Sequence, residues 1–157
     1  MKAWLRASLL AACWVMPFHP TASEEAAQGT ATLIRKRARV IIDNDFGGDP
    51  DGLFQLAHHL LSPSVEVRAI IGSHHHPRGF YGYPGSSKHG VAMAEELLGV
   101  MGLAGKVPVI RGAEARLGEA SSGDDDEAAR FIVRECLRED AREPLYVVCG
   151  AGLTNVA

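Results

Sequence analysis

Val40-Ile41-Ile42-Asp43-Asn44-Asp45-Phe46-Gly47-Gly48-Asp49-Pro50-Asp51-Gly52 is the stretch on which the fold turns: a β-branched run stops, and four carboxylates follow within nine residues, interleaved with glycines. Carboxylates this close raise one another's pKa unless a cation, a proton or backbone donors offset the repulsion. A hard divalent cation with oxygen ligands is the simplest remedy. The apolar run reads as a buried parallel strand that delivers a loop to the carboxyl edge of a sheet, where open α/β folds bind ligands. Gly47 and Gly48 allow a shaped loop, and Pro50 suits the first turn of a following helix. An acidic turn that only capped that helix would need a single Asp. A phosphate cradle would offer backbone donors and a Lys, and this loop offers negative charge instead.

Working outward, Leu53 to Leu61 carries apolar residues at helical spacing, Ser62-Pro63 ends it, and Val65 to Gly72 reads as a second strand, which completes a β-α-β unit. A Gly-, Pro- and Tyr-rich loop then spans Pro77 to Ser87, a helix runs from about Lys88 to Met101, and a short strand falls at Val107-Pro108-Val109-Ile110. Ala128 to Leu137 has helical spacing, with Asp124-Asp125-Asp126-Glu127 ahead of it as acids suited to a helix amino terminus. Leu145 to Cys149 reads as a further strand. The expected fold is α/β, a mostly parallel sheet with flanking helices, over residues 38–157.

Asp43-Asn44-Asp45-Phe46-Gly47-Gly48-Asp49 resembles the D-x-D-x-G-x-D-D opening of the inosine-uridine type nucleoside hydrolases. Val107 to Ala113 resembles that family's V-P-V-x-x-G-A segment, and Gly150 to Ala157 its G-P-L-T-N-x-A. Where the family has adjacent aspartates, this chain has Asp49-Pro50-Asp51-Gly52, so the last metal ligand is displaced to Asp51 or lost at Gly52. The G-G-D-P-D variant is similar to a divergent branch, some members of which are secreted and handle sugars. The resemblance implies hydrolysis of an N-glycosidic bond in a ribonucleoside or related ribosyl compound, by calcium-assisted attack of water at the anomeric carbon. It implies that Asp45 and Asp51 hold calcium together with a backbone carbonyl at Cys149 or Gly150. Asp45 would act as the base, Asp49 would bond a sugar hydroxyl, and Asp43 would orient the others from behind. The family's Gly-Asn after the second strand corresponds to Gly72-Ser73 here, and Ser73 or His74 is the expected substrate contact. Relatives of this kind place a second metal-binding Asp and a leaving-group His in a carboxyl-terminal half. The chain is accordingly expected to be the amino-terminal half of a nucleoside-hydrolase-like fold, with little turnover by itself.

Two other readings stay open. A haloacid-dehalogenase-type phosphohydrolase also begins with a strand and D-x-D, which Asp43 and Asp45 satisfy, with Ser73 after the second strand, although Asp49-Pro50-Asp51 has no role in it. A protein that only binds metal or sugar is the other. His74-His75-His76 would share the sheet edge with the Asp loop, and no more than two of three consecutive side chains can face one ligand from an extended chain. Phe80, Tyr81 and Tyr83 could stack on a base or pack on the sheet.

The chain has 157 residues and a formal net charge of −3. The cluster Arg35-Lys36-Arg37 with Arg39 lacks interleaved aromatics, so it is read as a solvated approach to the domain, and no nucleic-acid partner is expected. The expected partner is a small molecule, with a homo-oligomer left open. Of the three cysteines, Cys136 falls on an expected helix and Cys149 on an expected strand, both read as buried thiols. Met1 to Arg6 supplies two positive charges, Ala7 to Phe18 is apolar, and Thr21-Ala22-Ser23 offers small residues at a cleavage site, so residues 1–23 read as a signal peptide and 24–37 as a flexible lead-in. The apolar run is shorter than the roughly 20 residues that span a bilayer, so no stable membrane span is expected. A periplasmic or secreted protein follows, the alternative being a lipoprotein anchored at Cys13 in Leu10-Ala11-Ala12-Cys13. Mass spectrometry of the mature protein is expected to find an amino terminus near Ser23 or Glu24; a diacylated Cys13 would replace the soluble form with the anchored one.

Overall fold

The computed structural model describes residues 35–76, 86–118 and 127–157. Along the chain these form β1 (Ala38–Asn44), α1 (Asp51–Leu61), β2 (Val65–Gly72), α2 (Ser86–Val100), β3 (Val109–Arg111), α3 (Glu127–Cys136) and β4 (Leu145–Cys149). The strands make one sheet in the order β3-β2-β1-β4, and each neighbouring pair is parallel. This is the expected α/β architecture. The amino-terminal segment, the aromatic loop residues Phe80, Tyr81 and Tyr83, and Asp124 to Asp126 lie outside the described residues.

Strand β1 is central, and its unbroken apolar run follows from burial on both faces. Val40 and Ile42 pack with Phe46, Leu56 of α1, Ile70 of β2, and Ala94 and Leu98 of α2. Ile41 turns the other way, onto Ala69, Ile71, Ile110, and Ala128 and Ile132 of α3. Helices therefore cover both sides of the sheet. Ile41 and Ile42 are each 0% exposed, which stabilises the fold by about 1.5–3 kcal/mol apiece.

In α1, Leu53, Leu56 and Leu60 recur at helical spacing and meet the core, while Phe54 and Leu61 are exposed. Pro50 caps the helix at φ −68°, and Ser62 leaves it in extended conformation ahead of Pro63. Strand β2 changes the side to which its residues point. The register runs Val40↔Val67 and then Ile41↔Ala69, so Arg68 is the extra residue of a bulge. The slip moves Ala69 and Ile71 onto the α3 side although Val65 and Val67 pack on the α1–α2 side.

Among the boundaries that differ from the sequence expectation, two show their reasons in the structure. Helix α2 begins at Ser86, two residues before Lys88, because the Ser87 hydroxyl lies 2.8 Å from both the Gly72 and the Gly112 carbonyl and pins the first turn across the ends of β2 and β3. Strand β3 begins at Val109 rather than Val107, after a Pro108 that has no N–H to give to a ladder.

Two assignments are corrected. Cys136 is exposed, not buried, and it and the half-buried Cys149 are both free thiols. Arg39, read as part of a solvated cluster, is 7% exposed and bonded to Glu135. The period-2 alternation of β1 points Arg39 to the same side as Ile41, where the end of α3 supplies a carboxylate. Arg39 Nη1 donates to Glu135 Oε2 at 3.1 Å, and Arg68 grips the same carboxylate with Nε and Nη2, each at 3.0 Å. The bulge is what brings Arg68 to that side.

Hydrogen bonds from Arg68 hold the Glu135 carboxyl below its ordinary 4.5, against the opposing effect of burial. A lowered carboxyl pKa stabilises the fold above the unfolded value, and that contribution is lost as pH falls through the folded one. Glu135→Ala would leave Arg39 buried without its carboxylate, an expected loss of about 3–5 kcal/mol. Urea unfolding at neutral pH should show the lower midpoint, and the gap to wild type should narrow as pH is taken below 4.5.

Candidate functional site

The chain leaves β1 in two directions, toward β2 and β3 on one side and β4 on the other. The carboxyl ends of β1 and β4 therefore border a topological switch point, where loops part and leave a crevice. A cleft of ≈ 440 Å³ lies there, lined by Asp45, Asp49 and Asp51 from the loop after β1, His74 and His75 after β2, and Gly150, Ala151 and Gly152 after β4.

Local chemistry shapes the acidic loop. The Asn44 side chain accepts the Asp45 N–H at 2.8 Å and donates to Gln55 of α1 at 2.8 Å, while Gly48 N–H closes a turn on the Asp45 carbonyl at 2.6 Å. Asn44 also presses on the opposite wall. A Cβ on Gly150 would lie 2.4 Å from Asn44 Nδ2, so only glycine fits there. Asp45 Oδ2 meets His75 Nδ1 at 2.5 Å, and Asp51 Oδ1 accepts the N–H of Gly52 in its own helix at 2.9 Å. Asp49 is exposed to solvent. His74 is 6% exposed and packs beside Gly152, where a Cβ would lie 3.2 Å from the ring. Its Nδ1 is buried without a hydrogen-bond partner. An unsatisfied buried polar atom costs about 1–3 kcal/mol.

Behind the cleft lies a buried polar cluster. Asp43 is 0% exposed, the Ser73 hydroxyl donates to its Oδ1, and Asn155 Nδ2 donates to its Oδ2 at 3.1 Å and to Ser73 Oγ at 2.8 Å. Burial pushes the Asp43 carboxyl above its ordinary 3.8, with the Ser73 and Asn155 hydrogen bonds and the nearby His74 working the other way. Burial together with the charge of Asp43 pushes the Cys149 thiol up.

Asp45, Asp49, Asp51 and His74 are thus brought together as the sequence suggested. Ser73, expected to touch substrate, is 0% exposed and faces Asp43 and Asn155 instead. It sits two residues beyond Ile71, on the α3 side of the sheet, and that parity turns it away from the cleft. Asp43 does stand behind the site as expected. Its burial leaves the phosphohydrolase reading without a reachable nucleophile, since the first Asp of D-x-D would have to meet the phosphorus. Cys149 ends β4 opposite Asp43, and the wall after it is made by residues 150–152. Two participants carried no role in the sequence reading, Asn44 and Asn155, and His75, read there only within His74-His75-His76, is the histidine that meets Asp45. Asn155 stood in the quoted L-T-N-V-A, but nothing in one sequence says which strand ends its amide would reach.

Three carboxylates around a water-accessible cleft are the donor chemistry of a hard cation such as calcium. Among the described residues, no group of three His, Cys, Asp or Glu side chains is gathered closely enough to hold a metal. Asp45 is turned to His75 and Asp51 to Gly52, so a cation would have to draw both away. The donor set fits in kind, and its convergence depends on those two side chains turning.

The chain matches no family model, no curated protein and no solved structure. Fold and site together define a parallel α/β protein with an acidic cleft at its switch point.

A raised carboxyl pKa stabilises the fold below the unfolded value, and that contribution is lost as pH rises through the folded one. Asp43→Asn removes the titration, so the stability of the variant relative to wild type is expected to rise with pH from about 3.8 upward. Urea midpoints of both proteins across a pH series measure it; a difference that falls with rising pH would contradict the assignment.

Proposed function

We propose that the cleft binds a ribosyl compound with calcium and is built for hydrolysis of its N-glycosidic bond. The observation that carries this reading is the meeting of Asp45, Asp49 and Asp51 with a buried His74 whose Nδ1 lacks a partner, all at the switch point of a parallel sheet. The opening motif and the L-T-N-V-A segment, which resemble the nucleoside hydrolases, support it.

Asp45 and Asp51 would hold calcium, with a carbonyl at Cys149 or Gly150. When bound, calcium supplies Lewis-acid activation of the attacking water and an anchor for the ribose diol. Asp45 would take a proton from the attacking water as the water oxygen bonds to the anomeric carbon. The carbon–nitrogen bond would break, the base leaving with the electron pair and taking a proton from solvent, while Asp45 returns the proton it received to solvent. Asp49 accepts a hydrogen bond from a sugar hydroxyl, and the His74 ring lines the cleft beside it. The transition state resembles an oxocarbenium cation, and three carboxylates would leave the cleft net negative even with a divalent cation held, which favours that state over the neutral substrate.

Isothermal titration with calcium is the first test. Wild type is expected to bind at millimolar affinity and Asp45→Asn to bind at least about tenfold more weakly, because ligand number and charge set affinity. Equal binding by the two would remove Asp45 from the ligand set. Inosine, uridine and ribose are expected to bind only when calcium is present. Release of phosphate from a phosphomonoester, with no response to ribosyl compounds, would replace this reading with the phosphohydrolase; binding without release of sugar would leave a metal- and sugar-binding protein.

A further inference from the structure

We infer that Asn155 is the positioning residue of the cleft, a single amide that locks the carboxyl ends of the strands together and thereby sets where the cleft's three lining segments stand. Its side chain is 7% exposed and lines no part of the cleft. Nδ2 donates to Asp43 at the end of β1 and to Ser73 just past β2, at 3.1 and 2.8 Å. Oδ1 accepts the N–H of Ala113, just past β3, at 2.8 Å. Asn155 itself stands in the loop after β4, in a turn closed by Val156 N–H on the Leu153 carbonyl at 3.0 Å. One side chain thus joins all four strand ends.

The chemistry selects an amide. A flip would aim Oδ1 at the Asp43 carboxylate and Nδ2 at the Ala113 N–H, so the network fixes the orientation. A carboxylate at 155 would face Asp43 with like charge, and a longer side chain would not fit, because Gly112 leaves only the space of a missing Cβ, 2.5 Å from Asn155 Nδ2.

Three of these four ends, those of β1, β2 and β4, continue into the cleft. The Asp43 carbonyl accepts Gly150 N–H at 2.9 Å, which ties β1 to the 150–152 wall. Ser73 N–H donates to the Asn44 carbonyl at 2.9 Å, which sets His74 beside the Asp loop. Asn155 therefore acts on ligands through these segments, touching none.

The inference rests on the proposed calcium site only for the choice of calcium as probe. Two variants test it: Asn155→Ala, which deletes the amide, and Gly112→Ala, whose methyl group displaces the amide and leaves it in the chain. Calcium titration of the folded fraction is expected to show affinity about 10- to 100-fold weaker in both, the usual effect of losing a residue that orients metal ligands. A purely structural residue would lower the melting temperature and leave affinity per folded molecule unchanged, and that result would overturn the inference. So would failure of both variants to fold. Should wild type bind no calcium, the hydrolase reading falls, and NMR of the calcium-free proteins decides for Asn155 alone. The Gly150, Ala151 and Gly152 amides and the His74 ring are then expected to shift or broaden in both variants, and spectra that superimpose on wild type would overturn the inference.

Discussion

Asp43 is a carboxylate with no access to water at the end of the central strand, and much of what surrounds it follows from the need to hold that group. An isolated buried charge is costly, so the protein supplies donors from two other segments, the Ser73 hydroxyl and the Asn155 amide. Those donors must reach it from past β2 and from past β4. Their approach in turn requires Gly112, where a Cβ would strike Asn155. Even so the donors do not fully offset burial, and the carboxyl stays above its ordinary value.

That unfavourable group sits directly beneath the cleft. Asp45, two residues on, has the same parity in the chain, but the strand ends at Asn44 and the loop turns it outward to meet His75. The glycines at 48 and 150 let the backbone and the Asn44 side chain come close without a Cβ in the way. The buried His74 Nδ1 beside this loop has no hydrogen-bond partner, a cost to stability that the fold carries at the cleft. The opposite end of the sheet is satisfied by contrast. There Glu135 accepts from Arg39 and Arg68, and the shared carboxylate ties β1, β2 and α3 into one unit. One end holds the layers together while the other carries the acidic cleft.

The β-α-β start, the parallel sheet and the core of β1 were legible in the chain because they follow from local pattern. A β-branched run buried on both faces, helical spacing from Leu53 to Leu60, and a Ser62-Pro63 stop need no knowledge of distant residues. The acidic loop was legible for the same reason, since its carboxylates are neighbours in sequence. Arg39 was misread because its burial depends on Glu135, 96 residues away. Ser73 was misread because the face it takes follows from a bulge at Arg68, and a one-residue slip is set by pairing with β1, which no local pattern reveals.

Sequence by itself determined the class of fold and the carboxylate-rich turn, because hydrophobic periodicity and crowding of like charge act between residues close along the chain. Tertiary structure alone decided which carboxylate faces solvent and which is sealed. It also decided that His75 pairs with Asp45 and that Asn155 spans the strand ends. The physical reason is that hydrogen bonds and desolvation depend on distance in space, and parallel strands bring residues 43, 73, 113 and 155 to one edge only after their crossovers have formed.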